Sequence, residues 1–593
     1  MTSRAAATAW LAAFVLPLLL YLPTLGYGFV FDDEPLIARN PALQGPLRLG
    51  AYFQLDIDAL RLDADRAGSS NYYRPVLMVA LRAMRAVAAA DPRVWHALVA
   101  GLHGCVGLLA MAFLVTRGFG LVPALLGSLA FSAHPAHVDS VAWVAGVQDV
   151  WLGLTGLAAA LAWELWRRSP SAARGLVLGL AFALALLSKE AALGLLFFAA
   201  GEAAWARRRQ APDARAAAAG VLLLAGVATA YLALRWGVLG ALARPLPSSP
   251  PLALALASLP RVTLEYLRLA LVPIDLALLS PVRPVTSWAS PEVLGGAAVL
   301  AGLAVGWLAL AARRPQVLAP GLWFAAWLLP CLNLWALNRE WLVMDRYLYL
   351  PVLALPWLVL GAPGERGRRR PLVLLAVLAC AYAGLSLHHM RAFHDERRFW
   401  ARMLEADPRS STALTEHARL LIEAGRRAEG RQALEQATVL APESLLPAFR
   451  LANLDLAEGR PLRAAEGFAR LTRRSPGYLP AWRNLPIALH QAGRGEALVA
   501  AREAAARFPR DAELLVTLAT LLRAGGQGEQ ALAALRQARA AAPLDPRAAL
   551  REVQLLAELG RREEARAALV AARALSSATA YQAQLEALAL LLR

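Results

Sequence analysis

Cysteine is almost missing from this chain. There are three in 593 residues, Cys105, Cys331 and Cys380, each inside an apolar run. That excludes a disulfide framework and leaves them as small packing residues. Acids are in the minority, 43 against 61 basic residues, and lysine is scarce, so arginine carries the net charge of +18. In a soluble chain such an excess would suggest nucleic acid. Long polar stretches are lacking too: 58% of residues are hydrophobic and the mean hydropathy is +0.45. That is too apolar for a soluble protein and indicates multiple membrane spans. The arginines are then better read as topology bias, and no nucleic acid is expected as a partner.

Up to about His389, apolar runs of spanning length alternate with short polar breaks. Eleven spans are expected, at 8–26, 95–115, 118–134, 141–163, 173–188, 190–205, 216–236, 292–312, 317–335, 346–362 and 371–388. The first run follows Arg4 and lacks a small-residue cleavage pattern before the acids that follow, so it reads as an uncleaved span. Two apolar segments, 76–90 with Arg82 and Arg85 and 261–276 with Arg261, Glu265 and Arg268, suit helices lying in the interface. With the N-terminus inside, the basic breaks at Arg117, 167–168, 207–209, 313–314 and 364–370 all become cytoplasmic. The region after the last span is then outside.

From about Asp407 the texture changes to alanine, leucine, arginine and glutamate. Pro408, Pro442, Pro476, Pro509 and Pro543 recur at 34, 34, 33 and 34 residues, with glycine-bearing breaks such as EAGRRAEG and ELGRREEA between them. A helix, a glycine turn, a second helix and a proline stop in that period define the tetratricopeptide repeat. Small residues such as Ala433, Ala464 and Ala531 let paired helices approach. Five repeats are expected, with 579–593 as a capping helix. The fold class is therefore all-α: a polytopic helical bundle over 1–390, including a first outer loop at 27–94, then a repeat solenoid over 400–593.

On this topology the polar clusters gather on one side. FDDE (31–34) and NYYRP (71–75) lie in the first outer loop, FSAHPAHVDSVAW (131–143) joins spans three and four, LLSKEAAL (186–193) joins spans five and six, and MDRYLYLP (344–351) opens span ten. Ionisable groups at membrane depth are expensive, and a functional site is their default explanation. Bland readings exist for each. Three acids can be a solvated helix end, Lys189 and Glu190 a self-satisfied ion pair, His134 and His137 helix caps, and Arg346 a snorkelling neighbour of Asp345. The His134–His137 pair has only Asp139 near it as a third metal ligand. Asp56 and Asp58 imitate a metal–nucleotide motif but lack a nucleotide fold around them.

Taken together these stretches resemble the transmembrane and tetratricopeptide-repeat O-mannosyltransferases and their bacterial relatives, of the C-type glycosyltransferase (GT-C) class. The resemblance rests on Asp32–Asp33, YRP (73–75), HPAHVDSVAWVAGVQD (134–149), SKE (188–190) and DRYLYLP (345–351), and covers almost the whole chain. One departure is Gln148 in GVQD, where a basic residue is expected before the aspartate.

The resemblance implies a sugar, mannose by the family's habit, moved from a polyprenyl-phosphate donor to Ser or Thr hydroxyls of exported proteins. Inverting transfer needs a base for the hydroxyl proton and cations for the departing phosphate. A carboxylate beside a second one at the membrane edge has a raised pKa, which makes Asp32 the first choice of base and Asp33 the runner-up. Arg74, Lys189 and Arg346 are the phosphate candidates. Tyr73, His134, His137, Trp143, Asp149, Glu190, Asp345 and Tyr347 are candidate sugar or acceptor contacts. Metal dependence is left open, a divalent ion being compatible with the class. The repeats would present the acceptor polypeptide. The GC-rich flavour of the composition suggests a bacterial inner membrane, with a cytoplasmic N-terminus and periplasmic repeats. Two rivals stand beside this reading: a lipid or envelope-glycan glycosyltransferase of the same fold, and a membrane-anchored repeat scaffold without catalysis.

Overall fold

A computed structural model describes residues 3–44, 47, 49–55, 71–246, 248–276, 278, 280–363, 369–543, 545–574 and 581–592. Asp56 and Asp58, the middle of the first loop and most of the basic break at 364–370 lie outside the described residues. The described chain is helical without strands and divides into two compact units, Met1–Ser410 and Ser411–Arg593. The helix Glu396–Ala406, at the edge of the sequence-based domains, therefore belongs to the first unit.

All eleven apolar stretches form helix, but they are not alike. Among the described residues, seven helical stretches are long and apolar enough to cross a membrane. The pair Leu121–Ser132 and Pro135–Val141, bent by 55°, makes an eighth. Ala172–Ser188, Leu193–Arg208 and Pro351–Leu360 fall short. The physical reason is local. Leu121–Ser132 and Ala172–Ser188 stop at HPAH and SKE, Leu193–Arg208 and Pro351–Leu360 start after SKE and DRYLYL, and 3-10 turns at Pro135–His137, Glu190–Ala192 and Asp345–Leu348 fill the breaks. Irregular backbone is tolerated at membrane depth where it is buried in protein or lines a cavity. The two awkward segments are also helices, Pro75–Ala88 and Leu252–Leu271, and neither is among the membrane-length candidates.

Two polar layers cap the bundle. Asp149 stands at the first turn of Val147–Arg168 and Glu164 in its last turns, about 23 Å apart at 1.5 Å per residue. That is about three-quarters of the ~30 Å hydrocarbon core of a bilayer. At the Glu164 end, Arg117 reaches Glu202 at 2.6 Å and Glu164 at 2.5 Å, with its guanidinium 4.8 Å above the Trp357 ring. Arg167 adds Glu202 at 3.0 Å and Asp213 at 2.5 Å. Removing one member of a buried ionic network leaves a charge without compensation, at about 3–5 kcal/mol. Arg117→Ala is thus expected to lower the melting temperature in detergent by many degrees. Arg261→Ala, which breaks an exposed pair with Glu292, should change stability by no more than about 0.5 kcal/mol.

The second unit is a tetratricopeptide-type solenoid: five helix pairs from Ser411–Glu423 with Arg427–Leu440 to Pro546–Glu558 with Arg562–Arg573, then Gln582–Leu591. Each pair turns on a glycine with positive φ: Gly425 (80°), Gly459 (73°), Gly493 (67°), Gly526 (72°) and Gly560 (74°). A left-handed residue ends a helix at little cost only when it has no Cβ. Ala464 and Ala531 are fully buried where the helices meet.

Candidate active site

The three acids after the first span have three different fates. Glu34 is a surface group paired with Arg39 at 2.8 Å. Asp33 is fully buried; its Oδ2 accepts from the Val30 amide at 2.9 Å and its Oδ1 from the Ala145 amide at 2.6 Å. Burial raises the pKa of its carboxyl, against the pull of those two amides, which favour the carboxylate. Asp33 thereby fastens the first loop to the turn at Val144–Gly146. Asp32, left between them, lines a cavity of about 150 Å³.

That cavity is walled by Asp32, Tyr72, Arg74, Trp143, Gln148, Lys189, Trp341, Arg346 and Tyr347, drawn from five separate stretches of chain. All three cation candidates are here, but they are differently occupied. Arg74 is committed: Nε donates to Glu190 Oε2 at 3.0 Å, Nη2 to Glu190 Oε1 at 2.5 Å, and Nη1 to Gln148 Oε1. Lys189 donates to Asp149 Oδ1 and lies 5.4 Å above the Tyr347 ring. The reading of Lys189 and Glu190 as each other's partner is corrected, since each pairs across the bundle instead. Lys189 is also the only lysine in the chain.

Arg346 differs. Its Nη2 meets Met344 Sδ at 3.1 Å and its charge faces the buried Asp139 carboxyl, but its buried Nε and Nη1 have no hydrogen-bond acceptor among the described residues. The buried ring N–H groups of Trp143 and Trp341, both on the same cavity wall, also have none. Unpaired buried donors cost about 1–3 kcal/mol each, so their concentration here marks a place built to receive acceptor oxygens. Trp143 lies under the Arg346 guanidinium at 5.1 Å.

A second chamber of about 580 Å³ shares Tyr72, Lys189 and Tyr347 with the first. Its remaining walls are largely apolar, including Leu193, Phe197, Leu232, Leu259 and Leu329. Phe197 and Leu329 are also exposed on the surface of the unit.

The other candidates stand behind the cavity. His134 caps its own turn by accepting from the Ala136 amide at 3.2 Å and meets the Ala270 carbonyl at 3.1 Å. His137 meets the Tyr349 carbonyl at 2.9 Å. Neither lines the cavity, and neither do Asp149, Asp345 or Tyr73, whose hydroxyl donates to the Phe53 carbonyl at 3.1 Å. Glu190 lines the larger chamber. Among the described residues no three His, Cys, Asp or Glu side chains converge as a metal-binding group.

Several participants escaped sequence reasoning. Tyr72, adjacent to Tyr73 in NYYRP, holds its ring 4.4 Å from the Arg74 guanidinium. Asn71 fixes that segment, donating to the Arg244 carbonyl at 2.7 Å and accepting from the Arg244 amide at 2.8 Å. Gln148, read as a departure, is the partner of Arg74. Tyr266, on an interface-type helix, accepts from the Met344 amide at 3.1 Å and so props the turn that carries Arg346.

Fold and site define a class: a helical membrane unit with a charged, aromatic cavity at one end, continued by a tetratricopeptide solenoid. Comparison with known proteins adds the chemistry of similar chains. No family model matches. The chain is 34% identical over 188 residues to the protein O-mannosyl-transferase Tmtc1 of Drosophila melanogaster, covering 30% of this chain and 21% of that protein. It is 33% identical over 147 residues to tmtc2 of Xenopus laevis (25% and 17%) and 32% over 143 residues to human TMTC2 (24% and 17%), both also protein O-mannosyl-transferases. The chain thus matches about a fifth of the length of these relatives. Similar solved structures include a thermophilic TPR protein of Thermus thermophilus (22% identity, TM-score 0.26, 30% of this chain and 100% of that one). Another is YrrB, a TPR protein with an unusual peptide-binding site (16%, 0.26, 32% and 96%).

Proposed function

We propose that this chain is an inverting glycosyltransferase that moves mannose from a polyprenyl-phosphate donor to Ser or Thr hydroxyls of exported proteins. The observation that carries the reading is the meeting of Asp32 and Arg346, with its unfilled donors, in one cavity that opens beside an apolar chamber. The likeness to protein O-mannosyl-transferases supports the sugar and the kind of acceptor.

In this reading the Asp32 carboxylate takes the acceptor hydroxyl's proton as the oxygen attacks the anomeric carbon. The bond from that carbon to the phosphate oxygen breaks, and its electron pair leaves on polyprenyl phosphate. Arg346 Nε and Nη1 donate to the phosphate oxygens as that charge develops. Lys189, held by Asp149, adds a second positive charge, and Arg74, held by Glu190, keeps Tyr72 against the cavity. Trp143 and Tyr347 offer ring faces to the sugar. The apolar chamber would take the first isoprene units, and the repeats would hold the acceptor chain.

The arginine distribution supports a cytoplasmic N-terminus, which puts the cavity and the repeats on the outer face of a bacterial inner membrane. The test is transfer of radiolabelled mannose from polyprenyl phosphate in membranes holding the full chain. Label on periplasmic protein is the expected result. Label on lipid or glycan alone would move the acceptor to that class. No transfer from any polyprenyl-linked sugar would overturn the reading.

A further inference from the structure

Phe31, the residue before Asp32, has φ = 50°. A bulky aromatic side chain in that left-handed region is a backbone outlier that persists only where its surroundings hold it. The surroundings are aromatic on several sides. The Phe31 ring stacks on Trp143 at 5.9 Å and 22° and on Phe399 at 6.0 Å and 21°, and meets Trp400 edge-on at 5.1 Å and 83°. Phe399 and Trp400 are fully buried on the helix Glu396–Ala406. The same segment grips the loop a second time, for the Gly28 amide donates to the His394 carbonyl at 3.1 Å and the Tyr27 and His394 rings lie 5.1 Å apart.

We infer that Phe31 is a positioning residue for Asp32, locked by Phe399 and Trp400 of the helix Glu396–Ala406, and that one column of stacked groups sets both ends of the reaction. The column runs Phe399, Phe31, Trp143, then the Arg346 guanidinium. The left-handed turn at Phe31 sends Asp32 to the cavity and leaves Asp33 to the Val30 and Ala145 amides. Trp143 passes the same constraint to the group that meets the phosphate. None of Phe31, Phe399 and Trp400 lines the cavity, so they act through Asp32 and Arg346 rather than on substrate. The inference rests on the reading of Asp32 as base, but the clamp itself is a separate claim about loop 27–37.

The experiment uses the full chain in membranes and two readouts. Hydrogen exchange of the 27–37 amides is compared in wild type, Trp400→Ala and Trp400→Phe, and kcat and donor KM are measured for these and for Phe31→Ala and Phe31→Gly. Trp400→Ala should speed exchange in that loop at least tenfold and lower kcat about 10–100-fold, with donor KM within twofold, because small misplacements of a base are costly. Trp400→Phe should restore most of both. Phe31→Gly tolerates the backbone angle but lacks the ring, and should fall with Phe31→Ala. Unchanged exchange in Trp400→Ala overturns the clamp, whatever the activity. A drop in kcat that Trp400→Phe does not restore, or that comes with uniformly faster exchange across the unit, makes the helix merely structural. Asp32→Asn retaining full transfer sinks the base instead, and leaves the exchange result to decide the clamp.

Discussion

Asp32→Asn is expected to leave a folded protein that transfers about a thousandfold more slowly, with donor KM nearly unchanged. A positioned general base contributes about 10²–10⁴-fold, and the amide keeps the shape of the carboxylate while losing its basicity. Its neighbour should behave differently. Asp33 is a brace whose two oxygens each accept a backbone N–H. In Asp33→Asn the new NH₂ faces one of those amides, setting donor against donor in a fully buried place at about 1–3 kcal/mol. The expected signature is a lower melting temperature in detergent with a milder loss of transfer. Rate and melting curve on both variants check the assignment. A stable, inactive Asp33→Asn beside an active Asp32→Asn would reverse the two roles.

How much of this the sequence revealed depends on the range over which each signal acts. The repeats were legible because their period is local: proline stops and left-handed glycines return every 33 or 34 residues. The polar clusters were legible because charge at membrane depth needs a reason. Their pairings were not, since Arg74 with Glu190 and Lys189 with Asp149 are 116 and 40 residues apart. Adjacency suggested Lys189 with Glu190; the extended backbone at Lys189 (φ −161°, ψ 134°) precedes the turn that begins at Glu190. The helix Glu396–Ala406 gave no warning, because an amphipathic helix beside a repeat array looks like part of it. Phe31 gave none either, since a positive φ on an aromatic residue is a product of tertiary packing. Hydropathy also does not separate a long straight helix from a shorter one that ends in a 3-10 turn, as beside Glu190–Ala192 and Asp345–Leu348.

The cations give the second large effect. Arg346→Lys keeps a positive charge facing the buried Asp139 carboxyl, so the fold should tolerate it. What it loses is the planar fork of donors that a departing phosphate needs. Removing one preorganised donor from a developing charge typically costs about 10²–10³ in rate. Transfer should fall by about that factor while the melting temperature moves little. Arg74→Lys should show the opposite balance. Its guanidinium already spends its donors on Glu190 and Gln148, and a lysine cannot reproduce that bidentate grip. Glu190 would be left under-paired, so stability should drop first and activity follow from it. Measuring rate and melting temperature on the two variants in one preparation separates a cation that meets substrate from one that holds the wall. If Arg346→Lys transferred normally and Arg74→Lys lost its rate without losing stability, the phosphate would belong to Arg74.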